Sequence, residues 1–237
     1  MSSAGEVREM MDNSGPLGDP PDPSGDSAAI RHLLDELERY WQQIRRSGRL
    51  PARTDVDPAQ IDACLPHSFI VERVAPGVLR LRVAGARLSD ALGMEVRGMP
   101  LSALFLPEGR DVLAARIDEV FDGPRIMEFP IHSPRGIGRP LMAGRLLVLP
   151  LLDREGRVTR AMGAMITEGG IGRGGRRFTI PAGAEIRSDA VDGPLRPIAP
   201  APVFEAAEEP APFEMPRVRR VADRPGRGHL RLVVDNG

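Results

Sequence analysis

The sequence predicts an α+β fold, and three observations carry that prediction. Between Ser27 and Glu168 the hydrophobic period changes in a fixed order: one helix, two paired strands, several short helices, then three strands. Hydrophobic residues make up 41% of the 237 residues, enough for a packed core. The 24 prolines and 26 glycines gather toward the two ends, so the core-forming part is shorter than the chain. The organisation expected from this is a disordered leader over residues 1–26, a domain over 27–168 and a flexible Gly/Arg/Pro-rich tail over 169–237.

Order begins at Ser27, a helix N-cap residue. Ile30, Leu33, Leu34, Leu37, Trp41 and Ile44 then recur at the spacing of one helical face. Asp35 and Glu36 sit early and Arg45 and Arg46 late, which suits the helix dipole, and Gly48 is the natural stop. Asp57-Pro58-Ala59-Gln60 reads as a cap, a first-turn proline and a capping-box partner for a short helix to Cys64. Phe69–Val74 and Val78–Val83 flank Ala75-Pro76-Gly77, a hairpin with Leu79, Leu81 and Val83 turned inward and Arg80 and Arg82 toward water. Leu88, Ala91 and Leu92 share a face that Gly93 closes, and Ser102–Phe105 makes one turn. A longer helix carries Val112, Leu113, Ile117, Val120 and Phe121 and stops at Asp122-Gly123-Pro124.

Three strands follow. Met127, Phe129 and Ile131 alternate with Glu128, Pro130 and His132, and the internal proline predicts an edge or a bulge. Leu141–Leu152 is apolar almost throughout, as in a strand buried on both faces. Asp153-Arg154-Glu155-Gly156 turns the chain into a last strand, Val158–Thr167. Beyond Gly169 periodicity fades, although His229–Val234 has the pattern of a strand or docking peptide.

Several function classes are set aside by composition. The net charge of −1 gives no global attraction to nucleic acid or anionic lipid. Lysine is absent, which nucleotide bias explains more simply than selection for arginine. One cysteine, Cys64, leaves no internal disulfide and no Cys-only metal cage. Glu6, Glu9 and Asp12 without an apolar run do not make a signal peptide, and no stretch of about 18 apolar residues exists to span a membrane. The expected location is cytoplasmic.

Six short motifs add a resemblance: Tyr40-Trp41 with Arg45, Leu50-Pro51-Ala52-Arg53, Asp55-Val56-Asp57-Pro58, Leu65-Pro66-His67 with Phe69, Arg82-Val83-Ala84-Gly85, and Leu149-Pro150-Leu151. In order and spacing these resemble the fifth PAS group, a PAS-like family of single-domain proteobacterial proteins, over residues 30–168. The resemblance implies a five-stranded antiparallel sheet wrapped by short helices, with an N-terminal helix that mediates pairing. It implies signal sensing or protein interaction and no catalysis, and it supplies no catalytic residues and no cofactor.

The candidate residues follow from these readings. A ligand pocket would be lined by His67, Phe69, Met127, Phe129, Met162 and Met165, with methionine as an adaptable apolar lining. An interaction helix would present Leu37, Tyr40, Trp41 and Ile44 to a protein partner or to a second copy, although Trp41 also fits core packing against the chain's own sheet. One alternative is a haem- or small-molecule-binding sensor in which His67 or His132 touches the ligand. Another is a nucleic-acid-associated protein acting through the arginines of the tail.

No metal site is expected, because Cys64 and His67 lack a second pair of ligands. Gly170-x-Gly172-x-x-Gly175 matches a dinucleotide fingerprint, but Phe178-Thr179-Ile180-Pro181 cannot open the helix it needs, so it reads as a linker. Arg173, Arg176 and Arg177 make a basic patch for an acidic partner or phosphate, or a solvated linker. Arg135-x-x-x-Arg139 resembles half of a cyclic-dinucleotide motif, and the other half is missing. The expected function is a cytosolic PAS-like regulator acting through protein contacts and gated by a small ligand, with no cofactor required.

Overall fold

The computed structural model describes residues 25–45 and 48–192. The chain divides after Ile198, and the second unit, Ala199–Gly237, lies outside the described residues, as do the leader through Ser24 and the strand expected at His229–Val234.

Helix α1 (Ala28–Ile44) starts where expected: Ser27 Oγ accepts from the Ile30 N–H at 3.2 Å and donates to Glu168 Oε1 at 2.5 Å. Its buried stripe is Ile30, Leu34, Leu37, Tyr40 and Trp41. The helix ends at Ile44 with Arg45 as its cap, so Gly48, at φ 73°, lies beyond the stop. Asp57 does cap Pro58, but only a 3-10 turn follows, Pro58–Gln60. A second such turn, Leu65–His67, leads into β1 (Ser68–Ala75).

β1 and β2 (Val78–Ala84) form the hairpin across Pro76-Gly77, where Gly77 takes φ 69°, the positive value a Pro-Gly turn requires. Arg80 and Arg82 face water and Leu79 and Leu81 are buried. Val83, expected inside, is 45% exposed, because a bulge between Ile70 and Val71 shifts the register beside it. Helix α2 (Ala86–Leu92) closes on Gly93 in the left-handed region. The single helix expected near Val112–Phe121 is two, α3 (Pro107–Arg116) and α4 (Glu119–Asp122), parted at Ile117-Asp118.

β3 (Arg125–Ser133), β4 (Met142–Leu152) and β5 (Val158–Glu168) complete the expected strands, and a sixth, β6 (Arg187–Ala190), adds to them. The sheet is antiparallel throughout, in the order β2-β1-β5-β4-β3-β6. β3 is therefore not an edge. β6 covers Arg125–Glu128, and Thr179 exchanges backbone hydrogen bonds with His132 at 2.8 and 3.0 Å. Pro130 falls between them, at the one outward position where no partner needs its missing N–H.

Cross-strand partners share a face, so the register sorts the core. One face carries Phe69, Val71, Leu81, Met127, Phe129, Leu146 and Met165, and α4 lies against it: Arg73 reaches Asp118 at 3.1 Å and stacks over Phe121 at 5.5 Å. The other face carries Ile70, Met162, Leu147, Leu149, Glu128 and Arg145, and α1 packs on it across β4 and β5. With both faces covered, β4 is buried along its length and reads as a continuous apolar run.

The tail expected from Gly169 is corrected as far as Asp192. Phe178 is fully buried, its backbone bonds Leu104 and Leu106 at 2.9 and 2.7 Å, and β6 pairs with β3. Arg187 holds Glu38 of α1 through two hydrogen bonds of 2.7 and 2.9 Å. Glycine-rich composition marked the loop correctly but said nothing of the buried Phe178 and Ile180 that follow it.

Candidate functional site

The segment that leaves α1 runs back over the sheet and is fixed there by backbone bonds. The Leu152 N–H donates to Pro51 O at 2.9 Å, and Asp55 Oδ2 accepts from the Ala52 N–H at 2.8 Å. Tyr40 Oη accepts from the Asp57 N–H at 2.7 Å and donates to its carbonyl at 3.3 Å. Pinned this way, the segment walls two hollows. On one side lies a polar groove of about 860 Å³ lined by Arg49, Arg53, Thr54, Asp55, Arg154 and Arg160 and by the Asp153–Gly156 turn. On the other lies an apolar cleft of about 260 Å³, bounded by Val56, Ile61, Leu65, Ile70, Val83 and Met162. Arg53 borders both.

The groove's charge is uneven. Asp153 accepts from the N–H groups of Glu155 and Arg157 at 2.9 Å each, from Thr159 Oγ1 at 2.8 Å and from Arg157 Nε at 3.1 Å. Burial pushes its carboxyl up, but those donors together leave it below the ordinary carboxylate range. Glu155 also pairs with Arg157, at 3.5 Å. Arg49, Arg53 and Arg154 form no ion pair among the described residues, and Arg160 reaches only Glu72, at 3.8 Å, with its Nε buried and unpartnered. The acids are occupied and the arginines are not. The arrangement suits an anionic head in the groove with an apolar body in the cleft, whose volume matches a fragment rather than a drug-sized ligand.

The predicted pocket residues are divided between the two sides of the sheet. Met162 opens onto the cleft, and Phe69 borders it from the strand although its ring packs on the other face, over Gly163. Met127, Phe129 and Met165 lie on the opposite side, fully or almost fully buried under the short helices. The signal was in the sequence: Met162 and Met165 are three apart on a strand, which puts them on opposite faces. His67 is half-buried beside Arg87, and burial first, then that guanidinium, lowers its pKa from the ordinary value. His132 sits on the α1 side of β3, bridged to Thr179, so the two histidines do not share a pocket. Cys64 is buried, donates to Leu33 O at 3.1 Å, and burial with Glu36 nearby pushes its thiol up to about 11. Among the described residues no group of three His, Cys, Asp or Glu is placed to hold a metal.

The interaction helix is also corrected. Leu37 and Trp41 are fully buried and Tyr40 nearly so, against the chain's own sheet, and Ile44 is half-buried there. Core packing wins because Trp41 finds both apolar contact and a partner for its indole, which donates to Pro150 O at 3.0 Å. The face α1 leaves to water is polar, with His32, Asp35, Arg39 and Gln42. Sequence reasoning missed Arg49, Arg53, Arg154 and Arg160 as a group. Arg49 and Arg53 stand four apart in a segment with no helical period, and that was the available signal.

Comparison with known proteins gives the family. The model of the PAS domain family matches residues 31–166, more than half of the chain, and the chain belongs to that family. Its members are sensory modules in general. No curated protein matches the chain. Among solved structures it is similar to an RNA-binding Light-Oxygen-Voltage receptor, with 20% identity and a TM-score of 0.34, over 51% of this chain. That alignment spans 34% of the receptor chain, about a third of its length.

Proposed function

We propose that the protein is a regulatory module that reports its state through contact with a protein partner, and that a small amphipathic anion gates the contact. The observation that carries this reading is the shared border at Arg53. A ligand placed there touches the end of α1 at Ile44, the pinned segment and the sheet at once. A ligand that fits one seating of α1 better than another shifts that equilibrium by its difference in affinity. The reading is non-catalytic and cytosolic, in keeping with a single buried thiol.

The partner contact belongs on the hairpin rather than on α1. Val74 and Val78, at the turn, are 45% and 41% exposed, and Val83 and Leu65, together at the other end of β2, are 45% and 41% exposed. Four of the large exposed apolar side chains therefore sit at one edge of the sheet. A photo-crosslinker at Val78 is expected to capture a protein that one at Arg39, on α1, does not; capture from Arg39 alone counts against the hairpin.

The gating test uses decanoate and decyl phosphate, with decanol as the neutral control. Both anions should raise Tm and change the emission of Trp41, the only tryptophan in the chain. Arg53→Ala should lose the response to the anions and keep the fold. Equal binding of decanol, or an Arg53→Ala variant that responds like wild type, overturns the proposed site.

A further inference from the structure

Two loops far apart in the sequence carry the same four residues: Gly136-Ile137-Gly138-Arg139 between β3 and β4, and Gly170-Ile171-Gly172-Arg173 after β5. They lie against each other. The Arg173 N–H donates to Gly138 O at 3.0 Å, and Arg139 Nε donates to Arg173 O at 2.8 Å. Gly138, Gly172 and Gly174 hold φ of 67°, 69° and 74°, values other residues adopt only under strain. A side chain at Gly172 would run into the Gly138 carbonyl, so that position is fixed by space as well as by φ.

Arg176, at the end of the second loop, is 1% exposed. Its N–H donates to Ala91 O at 2.6 Å and its Nη2 to Pro140 O, while Nε and Nη1 are buried and have no partner. No carboxylate among the described residues pairs with it, nor with Arg135, Arg139, Arg173 or Arg177. A buried guanidinium with idle donors and no counter-charge is costly, and a fold retains one where something else supplies the charge. Burial and the nearby Arg139 both lower the Arg176 pKa, which marks an environment short of negative charge.

We infer that the paired glycine loops form a site for a phosphate group, inorganic or carried by a small phosphomonoester, with Arg176 and Arg139 as its charged donors. A guanidinium gives phosphate charge-assisted N–H donors, and Nε and Nη1 of Arg176, on different edges of the group, are the two that remain idle. Positive-φ glycines turn backbone N–H groups into an anion cradle without a helix. The missing helix therefore excludes a dinucleotide site here but not a phosphate.

The test is a titration of the full chain with inorganic phosphate and with glycerol phosphate at constant ionic strength, read by Tm and by calorimetry. Wild type should show saturable stabilisation that chloride at equal ionic strength does not give. Arg176→Met should lose it while being no less stable than wild type in phosphate-free buffer. Arg139→Ala, an exposed change that spares the fold, should weaken affinity at least about tenfold, the worth of one charge-assisted hydrogen bond. A wild-type response no greater than that to chloride overturns the site, as does a phosphate response that survives Arg139→Ala undiminished. Binding of a short single-stranded RNA without any response to phosphate also overturns it, in favour of an extended polyanion surface.

Discussion

Trp41 lies fully buried between α1 and the sheet, its indole N–H on the Pro150 carbonyl and the Arg45 guanidinium 5.1 Å above its ring. Trp41→Ala should cost about 3–5 kcal/mol by leaving a cavity, and Trp41→Phe about 1–3 kcal/mol through the orphaned carbonyl. Denaturant unfolding by circular dichroism checks both, and losses below about 1 kcal/mol for either would show that the site collapses or that α1 is dispensable. Two other residues add a pH dependence to stability. The His67 pKa is lowered from 6.5 on folding, so its contribution is complete above that value and is lost as pH falls below it. The Cys64 thiol is raised from 9.0 to about 11, so its contribution is complete below pH 9 and is lost as pH rises through 11. Tm should fall on the alkaline side in wild type and stay flatter there in Cys64→Ala, once both are compared with their own neutral values. An identical alkaline fall in the two proteins would show that Cys64 is not the group responsible.

Among elements, β6 and the triplet Phe178-Thr179-Ile180 separate two views of where the domain ends. A chain ending at Asp192 should unfold like the whole protein. A chain ending at Glu168 gives up the buried Phe178 and Ile180 and the β3–β6 ladder, a loss of roughly 3–6 kcal/mol from apolar burial and backbone bonds. Equal Tm for the two would show that the added strand decorates the sheet without supporting it. The expected strands β1 to β5 were legible because each advertises its seat: alternation in β2, a continuous apolar run in β4. β6 advertises nothing, since Arg187, Ser188, Asp189 and Ala190 carry no apolar period. It is held by its backbone ladder, by Arg187 on Glu38 and by Arg125 Nε on Ser188 Oγ at 2.7 Å. Partners remote in sequence decide such a strand, and no local pattern encodes them. The candidate site was less legible for the same reason. Arg49 and Arg53 meet Arg154 and Arg160 only when the sheet brings the β4–β5 turn beside the segment after α1.

At the scale of the molecule, Glu128 ties the α1 side together. It is 2% exposed and lies 2.9 Å from Arg31 of α1, 3.5 Å from Arg145 of β4 and 3.7 Å from Arg187 of β6. The Glu38 carboxylate holds the Arg187 pKa well above its ordinary value, with Asp189 assisting against the opposing effect of burial. Helix, sheet and added strand therefore share one charge network along the first two thirds of α1, while the polar groove bordered by Arg53 reaches its last residue, Ile44. The helix is thus tied down at both ends, through Arg31 and Glu38 and again through Tyr40, Trp41 and Arg45. The PAS fold supplies the sheet and short helices; the work assigned to this member rests on the residues around that helix.

The two ends of the described chain lie on this side too, at opposite ends of α1. Asp26 lies 3.6 Å from Arg145, and the Asp192 carbonyl accepts from Arg45 Nη2 at 2.5 Å. Tension applied between residues 25 and 192 would load the Glu38–Arg187 clasp and the β3–β6 ladder before it reached the central strands. Because that pull runs along β6, its ladder would be loaded in shear, with its bonds sharing the strain. The same geometry makes the added strand a strut between those two ends, the first part of the sheet to take up the strain.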